Sequence, residues 1–273
     1  MKNVFLCSFL YITFQTSAQP INKDSLSNFS YLLTLQIDSL KISTTATGFI
    51  IKYNSNYYLT TSYHVLSGRN PFSDSLLYNL PSDFTSLLIW FKPKYGKSVI
   101  KKRYHLVDEN HKRKFFTIPS SIGNIDLAIL PLPKSSLPDN AKIYAIDEKY
   151  VDTTDKNIAL NAKVIVVGFP GIRNDTNFSK PTIYSGNILT MKQSKLRHAN
   201  IYFDFNTTGG VSGSPVYLYY KNSLKLAGIN SLGSDTNSGL YKINNKIKGL
   251  AADIFYAMRI IKVLDKFKVA DNQ

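Results

Sequence analysis

Cysteine is nearly absent from this chain, which has one in 273 residues, Cys7. An intramolecular disulfide is therefore excluded, and the stability of the fold has to come from its hydrophobic core. Apolar runs long enough to span a bilayer are missing as well. The histidines at 105, 111 and 198 fit no common zinc spacing, and no phosphate-binding glycine-rich motif is present. We therefore expect neither a metal nor a cofactor.

Acidic residues are scarce relative to basic ones, since 18 Asp and Glu face 33 Lys and Arg, which gives a formal charge of +15. Much of the excess lies between residues 92 and 114. Two interpretations of this basic stretch are open. It is either a solvated hairpin or a surface that makes weak contact with polyanions such as nucleic acid.

The first 18 residues have the pattern of a secretory signal peptide. Lys2 is followed by a short apolar stretch at 4–14, and Thr16-Ser17-Ala18 supplies the small residues of a cleavage site. The apolar stretch is too short for a transmembrane helix, so we expect no integral membrane segment after signal removal. The sequence predicts a secreted or periplasmic protein whose mature chain is 19–273.

Short apolar segments separated by Gly, Pro, Asn and Ser dominate the rest of the chain, which indicates β-strands joined by turns. The predicted strands are residues 30–37, 47–61, 86–91, 113–118, 125–132, 163–168, 182–190, 200–205, 215–219, 224–231 and 239–243. Near the end, Leu250, Ile254, Met258, Ile261 and Leu264 recur at intervals of three and four, which predicts a helix. Many strands and little helix favour an all-β barrel protein.

The segment Gly210-Val211-Ser212-Gly213-Ser214-Pro215 has the composition of a turn that exposes a hydroxyl group. Glycines on both sides of Ser212 allow a sharp turn and let a substrate carbonyl approach the backbone. The amides of Gly210 and Ser212 could then form an oxyanion hole. Because serine alone is a weak nucleophile, this interpretation requires a histidine to take its proton and a carboxylate to orient the histidine.

Both partners are present upstream. His64 follows a β-rich run, and Asp126 is a single carboxylate in an apolar strand, where an ionised group needs a hydrogen-bonding partner. The chain order His, Asp, Ser is that of chymotrypsin-like peptidases and differs from the orders in α/β-hydrolases and subtilisins. His64, Asp126 and Ser212 are therefore the predicted catalytic residues.

On these residues the chain resembles the chymotrypsin-like serine peptidases, and among them the bacterial glutamyl endopeptidases. The most specific match is Thr-Thr-Gly-Gly-x-Ser-Gly-Ser-Pro-Val at 207–216, and Val-Val-Gly-Phe-Pro-Gly at 166–171 is similar to a turn of the family's second barrel. The resemblance implies an all-β fold of two six-stranded antiparallel β-barrels, a chymotrypsin-like double barrel, with a C-terminal α-helix. The implied boundaries are about 27–133 for the first barrel, about 134–160 for a linker, about 161–247 for the second barrel and about 248–268 for the helix.

The resemblance also implies the roles of the site residues. His64 would be the general base, Asp126 the carboxylate that orients it, Ser212 the nucleophile, and the amides of Gly210 and Ser212 the oxyanion donors. The implied function is that of a secreted serine endopeptidase acting as a monomer on protein or peptide substrates. Since animal members are usually disulfide-bonded, the lack of cysteine favours a bacterial-type enzyme. Two alternatives are open: a homologue that binds without cutting, and a polyanion-binding surface protein.

The resemblance places six residues around the substrate pocket: Asn206, Thr207, Asn230, Ser231, Gly233 and Gly239. Asn206 occupies the position of the Asp in trypsin-like enzymes, so cleavage after Lys or Arg is not expected. Thr207 matches a threonine that glutamyl endopeptidases use to hold the substrate carboxylate, but the accompanying histidine is replaced by Asn230. We therefore expect an uncharged, polar pocket with a reduced preference for Glu.

Overall fold

The computed structural model describes residues 21, 23–71, 73–77, 79–118, 125–154, 159–171, 180–190, 200–220, 223–233 and 249–270. These residues form two β-sheet halves and one long helix. The predicted signal peptide at 1–18 and the predicted strand at 239–243 lie outside the described residues. In the part that is described, no helix combines the length and the apolar character needed to cross a membrane.

The first half contains nine strands among the described residues: β1 (Ser30–Ile37), β2 (Ile42–Tyr53), β3 (Asn56–Thr61), β4 (Ser86–Pro93), β5 (Ile100–His105), β6 (Phe116–Thr117), β7 (Ala128–Leu132), β8 (Ala141–Lys142) and β9 (Ala145–Asp147). They form a curled sheet in the order β5-β4-β1-β2-β3-β7-β6, with β8 beside β4 and β9 beside β2. All pairs are antiparallel except β2 with β9. The described strands thus make a half-barrel, where a closed first barrel was expected.

The helices of the first half are short. Helix α1 (Tyr63–Ser67) follows β3 directly, and Gly68, with φ of 72°, ends it in the left-handed conformation that glycine adopts without strain. Single 3-10 turns complete the half, at Lys23–Asn28, Asp38–Leu40, Lys134–Ser136 and Glu148–Tyr150. The stretch predicted as a linker, 134–160, therefore contains two of these turns as well as β8 and β9, which join the first sheet.

The second half is a closed antiparallel barrel in the order β10-β11-β12-β15-β14-β13, with β13 pairing again with β10. Its strands are β10 (Lys163–Gly168), β11 (Thr182–Thr190), β12 (Asn200–Phe203), β13 (Pro215–Tyr220), β14 (Ser223–Gly233) and β15 (Gly249–Asp253). The β-branched run Val-Ile-Val-Val explains β10, because such residues pack well on a pleated sheet. Closure leaves this half without an exposed sheet edge.

The long helix α2 spans Ile254–Ala270, so the predicted helix start near residue 248 is wrong. Residues 249–253 form β15 instead, and they pair with both β12 and β14. All five are buried, so barrel hydrogen bonding outweighs the helical spacing that Leu250 shares with Ile254. The Asp253 carboxylate then accepts a hydrogen bond from the Phe255 amide at 2.8 Å, which caps the helix at its first turn.

The largest buried cluster lies between the two halves. It combines Phe49, Ile51 and Tyr58 of the first sheet with Ile165 and Tyr217 of the barrel. Helix α2 covers the same cluster with Ile254, Met258 and Ile261. The apolar stripe that predicted a helix therefore faces this shared core, and the residues at the ends of the seam are held by both halves.

Candidate active site

His64 lies at the seam because of how β3 ends. Ser62 is extended, with φ of −75° and ψ of 150°, and helix α1 begins at the next residue. The Ser62 hydroxyl donates to the carbonyl of Asn230 in the second barrel at 2.8 Å. This bond fixes the start of α1 against the other half, and His64 is only 7% exposed.

Asp126 contacts His64 through both of its oxygens. The Nδ1 atom of the imidazole lies 2.6 Å from Oδ2, and the His64 backbone amide donates to Oδ1 at 2.9 Å. Asp126 is 2% exposed and stands two residues before β7, which pairs with β3. The strand pairing therefore brings the two predicted partners together although they are 62 residues apart.

A third donor to Asp126 is the hydroxyl of Ser231, which bonds to Oδ2. Burial alone would raise the pKa of the Asp126 carboxyl. The charge and hydrogen bonds of His64, together with the Ser231 hydroxyl, outweigh burial and hold that pKa below its ordinary value. The carboxylate is therefore ionised and orients the imidazole through its Nδ1 atom.

Ser212 lies in a tight loop between two glycines in the left-handed region, Gly210 with φ of 87° and Gly213 with φ of 84°. The loop is tied to the first half, because the Thr47 amide donates to the Ser212 carbonyl at 3.0 Å and the Thr47 hydroxyl to the Gly210 carbonyl at 2.8 Å. The Ser212 hydroxyl donates to the carbonyl of Ser231 at 3.3 Å. Ser231 thus contacts both Asp126 and Ser212, which brings the three predicted catalytic residues into one cluster.

The amides of Gly210 and Ser212 are oriented for an acceptor from outside. The Gly171 amide donates to the Gly209 carbonyl at 2.5 Å. Because N–H and C=O point in opposite directions across a trans peptide, this bond turns the Gly210 amide away from Gly171. Within the described residues, no atom accepts a hydrogen bond from either amide. Two such free donors can stabilise an oxyanion.

Gly210 has to be glycine for a second reason besides its positive φ. A Cβ atom at this position would lie 2.5 Å from the Gly171 nitrogen and 2.7 Å from the Phe169 carbonyl oxygen. The Gly-Phe-Pro-Gly turn after β10 therefore packs directly on the nucleophile loop. This contact leaves no room for a side chain at position 210.

The structure divides the predicted pocket residues into two groups. Asn206 is exposed and Thr207 is half-buried, so both are accessible. Asn230 is 1% exposed, and its side-chain amide donates to the Val211 carbonyl at 3.1 Å and to the Thr207 hydroxyl at 3.4 Å. Gly233 ends β14, and Gly239 lies outside the described residues. Asn230 and Thr207 are thus neighbours, with Asn230 supporting the nucleophile loop from behind.

The role of Ser231 was missed by the sequence argument, which placed this residue in the pocket wall. Its hydroxyl instead bonds to Asp126, and its carbonyl accepts from Ser212. The Gly-Ile-Asn-Ser run gave the position of the strand, but a local pattern could not show that β14 crosses behind Asp126. Among the described residues, no group of three His, Cys, Asp or Glu is placed to hold a metal ion.

The fold is a chymotrypsin-like double barrel. It consists of a half-barrel and a closed barrel, with the cluster of His64, Asp126 and Ser212 at their seam and a helix over the shared core. No protein-family model and no curated protein matches the chain. Among solved structures, the chain is similar to the crystal structure of the scabies mite inactivated protease paralogue S-I1, with a TM-score of 0.54 and 12% sequence identity. The match covers 89% of this chain and 96% of that chain. At this identity the likeness shows the fold alone, and it confirms the predicted fold class.

Proposed function

We propose that the protein is a secreted serine endopeptidase that hydrolyses peptide bonds through an acyl-enzyme. The observation that carries this proposal is the buried His64–Asp126 pair, joined through Ser231 to a tight glycine-rich loop that presents Ser212. A histidine held by an ionised carboxylate is one part of the arrangement that activates a serine nucleophile, and the Ser212 hydroxyl joins the same cluster through the Ser231 carbonyl. That this chain is most similar to the glutamyl endopeptidases among such enzymes remains a prediction from the sequence resemblance.

In the proposed reaction, the Ser212 hydroxyl turns from the Ser231 carbonyl to His64 and gives up its proton as its oxygen attacks the scissile carbonyl. Asp126 holds the imidazole tautomer and stabilises the imidazolium that forms. The Gly210 and Ser212 amides donate hydrogen bonds to the tetrahedral oxyanion and stabilise its charge. His64 then gives the proton to the leaving amine, and water releases the acyl group by the reverse sequence.

A second candidate function is a non-catalytic binding protein on the same fold. Two observations favour it: the Ser212 hydroxyl donates to Ser231 in this structure, and the similar mite protein is described as an inactivated protease paralogue. The buried acid–base pair and the two free amides weigh against it. A degenerate site has no need of an ionised carboxylate, which costs free energy to bury.

Labelling with a fluorophosphonate probe separates the two candidates, because only an activated serine reacts. We expect rapid labelling of the native protein, none of Ser212→Ala, and a loss on the order of a thousandfold or more in His64→Ala. Ser223→Ala, which removes a hydroxyl at the start of β14 that bonds to the Tyr220 carbonyl near the surface, is the matched control and should label like the native protein. A native protein that fails to react while folded would establish the binding protein instead.

Specificity is proposed from the accessible pocket residues. Asn206 offers no negative charge to a Lys or Arg side chain. The side-chain amide of Asn230 already donates a hydrogen bond to the nucleophile loop. We therefore expect cleavage after neutral or polar side chains, with Glu reduced relative to glutamyl endopeptidases. Profiling on a mixed peptide library measures this directly. Cleavage confined to Glu, or to Lys and Arg, would contradict the proposed pocket.

A further inference from the structure

A surface cleft of about 470 Å³ lies in the first half, at the far end of β3 from His64. Tyr57, near the start of β3, lines this cleft together with the end of β4 and residues 134–144. From Tyr57 to Thr61 the strand covers roughly 13 Å, at about 3.3 Å per residue. The cleft is therefore separate from the candidate active site.

The backbone around the cleft is held by specific hydrogen bonds. Strand β8 pairs with the end of β4, and the Lys94 amide donates to the Asn140 carbonyl at 2.8 Å. The buried Tyr31 hydroxyl accepts from the Tyr144 amide at 2.7 Å and donates to the Tyr144 carbonyl at 3.0 Å. The backbone around the cleft is thus held in place by the sheet and by these hydrogen bonds.

Three lysines line the cleft: Lys94, Lys134 and Lys142. All three are exposed, and none has an ion-pair or hydrogen-bond partner for its ammonium group among the described residues. Asp139 is the one carboxylate among the lining residues of this cleft. The cleft therefore carries an excess of positive charge that the protein itself does not neutralise.

The arginines of the same half, unlike these lysines, form ion pairs with carboxylates. Arg103 pairs with Asp38 at 2.5 Å, and Arg69 and Arg113 pair with Asp83 at 2.5 and 2.9 Å. Part of the basic stretch 92–114 is thus committed to ion pairs. A separate concentration of uncompensated charge lies where the end of β4 meets residues 134–144, a juxtaposition that the sequence does not show.

Positive charge also extends behind the cleft. Lys92 is half-buried, its ammonium group donates to the Asn28 side chain at 2.7 Å, and it lies 5.7 Å from the centre of the Tyr144 ring. Burial, and to a lesser degree the charge of Lys180, lowers the pKa of Lys92.

Two tyrosines, Tyr57 and Tyr144, line the cleft beside the lysines. Charge alone would suit any polyanion, but aromatic rings add a surface on which planar bases stack. A sulfated polysaccharide offers charges without planar rings, whereas a single-stranded nucleic acid offers both. The volume lies within the range of sites that enclose a small ligand.

We propose that this cleft binds single-stranded nucleic acid, with phosphates on the three lysines and a base against the tyrosines. The proposal does not depend on the peptidase function. The Ser212→Ala variant should therefore bind nucleic acid as the native protein does.

The test is fluorescence anisotropy with a labelled oligothymidylate of about ten nucleotides, within the site sizes of known single-strand-binding folds. The variant with Lys94→Gln, Lys134→Gln and Lys142→Gln should lose affinity by about tenfold or more at low salt. Its slope of log affinity against log salt should fall by about 2, since each phosphate contact contributes about 0.7.

The matched control removes three exposed lysines of the basic stretch outside the cleft, by Lys97→Gln, Lys102→Gln and Lys112→Gln. It should change the affinity by less than about threefold. Equal losses in the two triple variants would refute the cleft as the site. Circular dichroism checks that both variants are folded.

The ring contribution is tested separately with Tyr57→Leu and Tyr144→Leu, which keep an apolar side chain but remove the aromatic ring. Each should weaken oligothymidylate binding by about fivefold or more, because the stacking of a base on the ring is lost. Neither should change the binding of a heparin oligosaccharide of matched charge. Heparin binding as tight as oligonucleotide binding, together with oligothymidylate binding that neither leucine variant weakens, would overturn the nucleic-acid assignment.

Discussion

Removing the Ser231 hydroxyl tests how Asp126 is kept ionised in the seam. Asp126 is buried and accepts three hydrogen bonds, one of them from Ser231. A hydrogen bond to a charged group contributes about 1.5–3 kcal/mol, so Ser231→Ala should destabilise the protein by that amount at neutral pH. For a chain of this size the midpoint of thermal unfolding should fall by roughly 3–12 °C.

The matched control is Ser30→Ala. Its hydroxyl is also buried but donates to a neutral acceptor, the Val167 carbonyl, at 2.7 Å. Loss of this neutral bond should cost about 0.5–1.5 kcal/mol. Ser231→Ala should therefore be roughly twice as costly as Ser30→Ala in urea unfolding at neutral pH.

The two variants should also differ in their pH dependence. The folded-state pKa of Asp126 is depressed, so its hydrogen bonds add stability above the pKa of the unfolded carboxyl, about 3.9. This contribution is lost as the pH falls through the folded-state pKa. The cost of Ser231→Ala should shrink in acid, whereas the cost of Ser30→Ala should not. Equal costs of the two variants at neutral pH, or a Ser231→Ala cost independent of pH, would refute the assignment of this bond.

Two further substitutions test the nucleophile loop and helix α2. Gly213→Ala places a Cβ atom against the Thr61 hydroxyl, so it should lower the free energy of unfolding in urea by more than about 3 kcal/mol. The control Gly96→Ala has a similar positive φ but open space around the Cβ position, so it should lower that free energy by only about 1–2 kcal/mol. Similar costs would show that the loop is not tightly packed. Asp265→Ala removes a carboxylate that accepts hydrogen bonds from three side chains, and it should destabilise the protein by about 3 kcal/mol or more in thermal unfolding. The control Lys266→Ala, at the exposed neighbouring residue, should have almost no effect on stability. An Asp265→Ala variant as stable as the native protein would contradict the role of this carboxylate.

The local sequence pattern was enough to predict a strand where the strand's own residues determine its structure. The strands at 30–37, 163–168 and 182–190 were predicted with the bounds that the structure gives. The pattern failed where a neighbouring strand decides. Strand β5, Ile-Lys-Lys-Arg-Tyr-His, has no apolar alternation, and it forms as the antiparallel partner of β4 at the edge of the sheet.

The candidate site shows the same division. The types and chain order of His64, Asp126 and Ser212 followed from sequence motifs, because each occurs in a distinctive local context. The hydrogen bonds of Ser231 and Asn230 did not, since they depend on how β14 crosses the seam. Asn230 was expected to face the substrate, but its side chain is buried and supports the Val211 carbonyl. Contacts between distant strands are set by the packing of the two halves, which no local spacing records.

The buried carboxylate of helix α2 has a consequence for the order of folding. Asp265 accepts from the side chain of Asn54 at 2.5 Å and of Asn56 at 2.7 Å, at the turn between β2 and β3, across 211 and 209 residues of chain. This hairpin is therefore synthesised long before its acceptor exists. Such a distant contact closes late, because a large loop entropy must be overcome first. The Asn54 and Asn56 side chains thus lack their Asp265 acceptor until α2 docks, and the docked helix ties the C-terminal part of the chain to the first half.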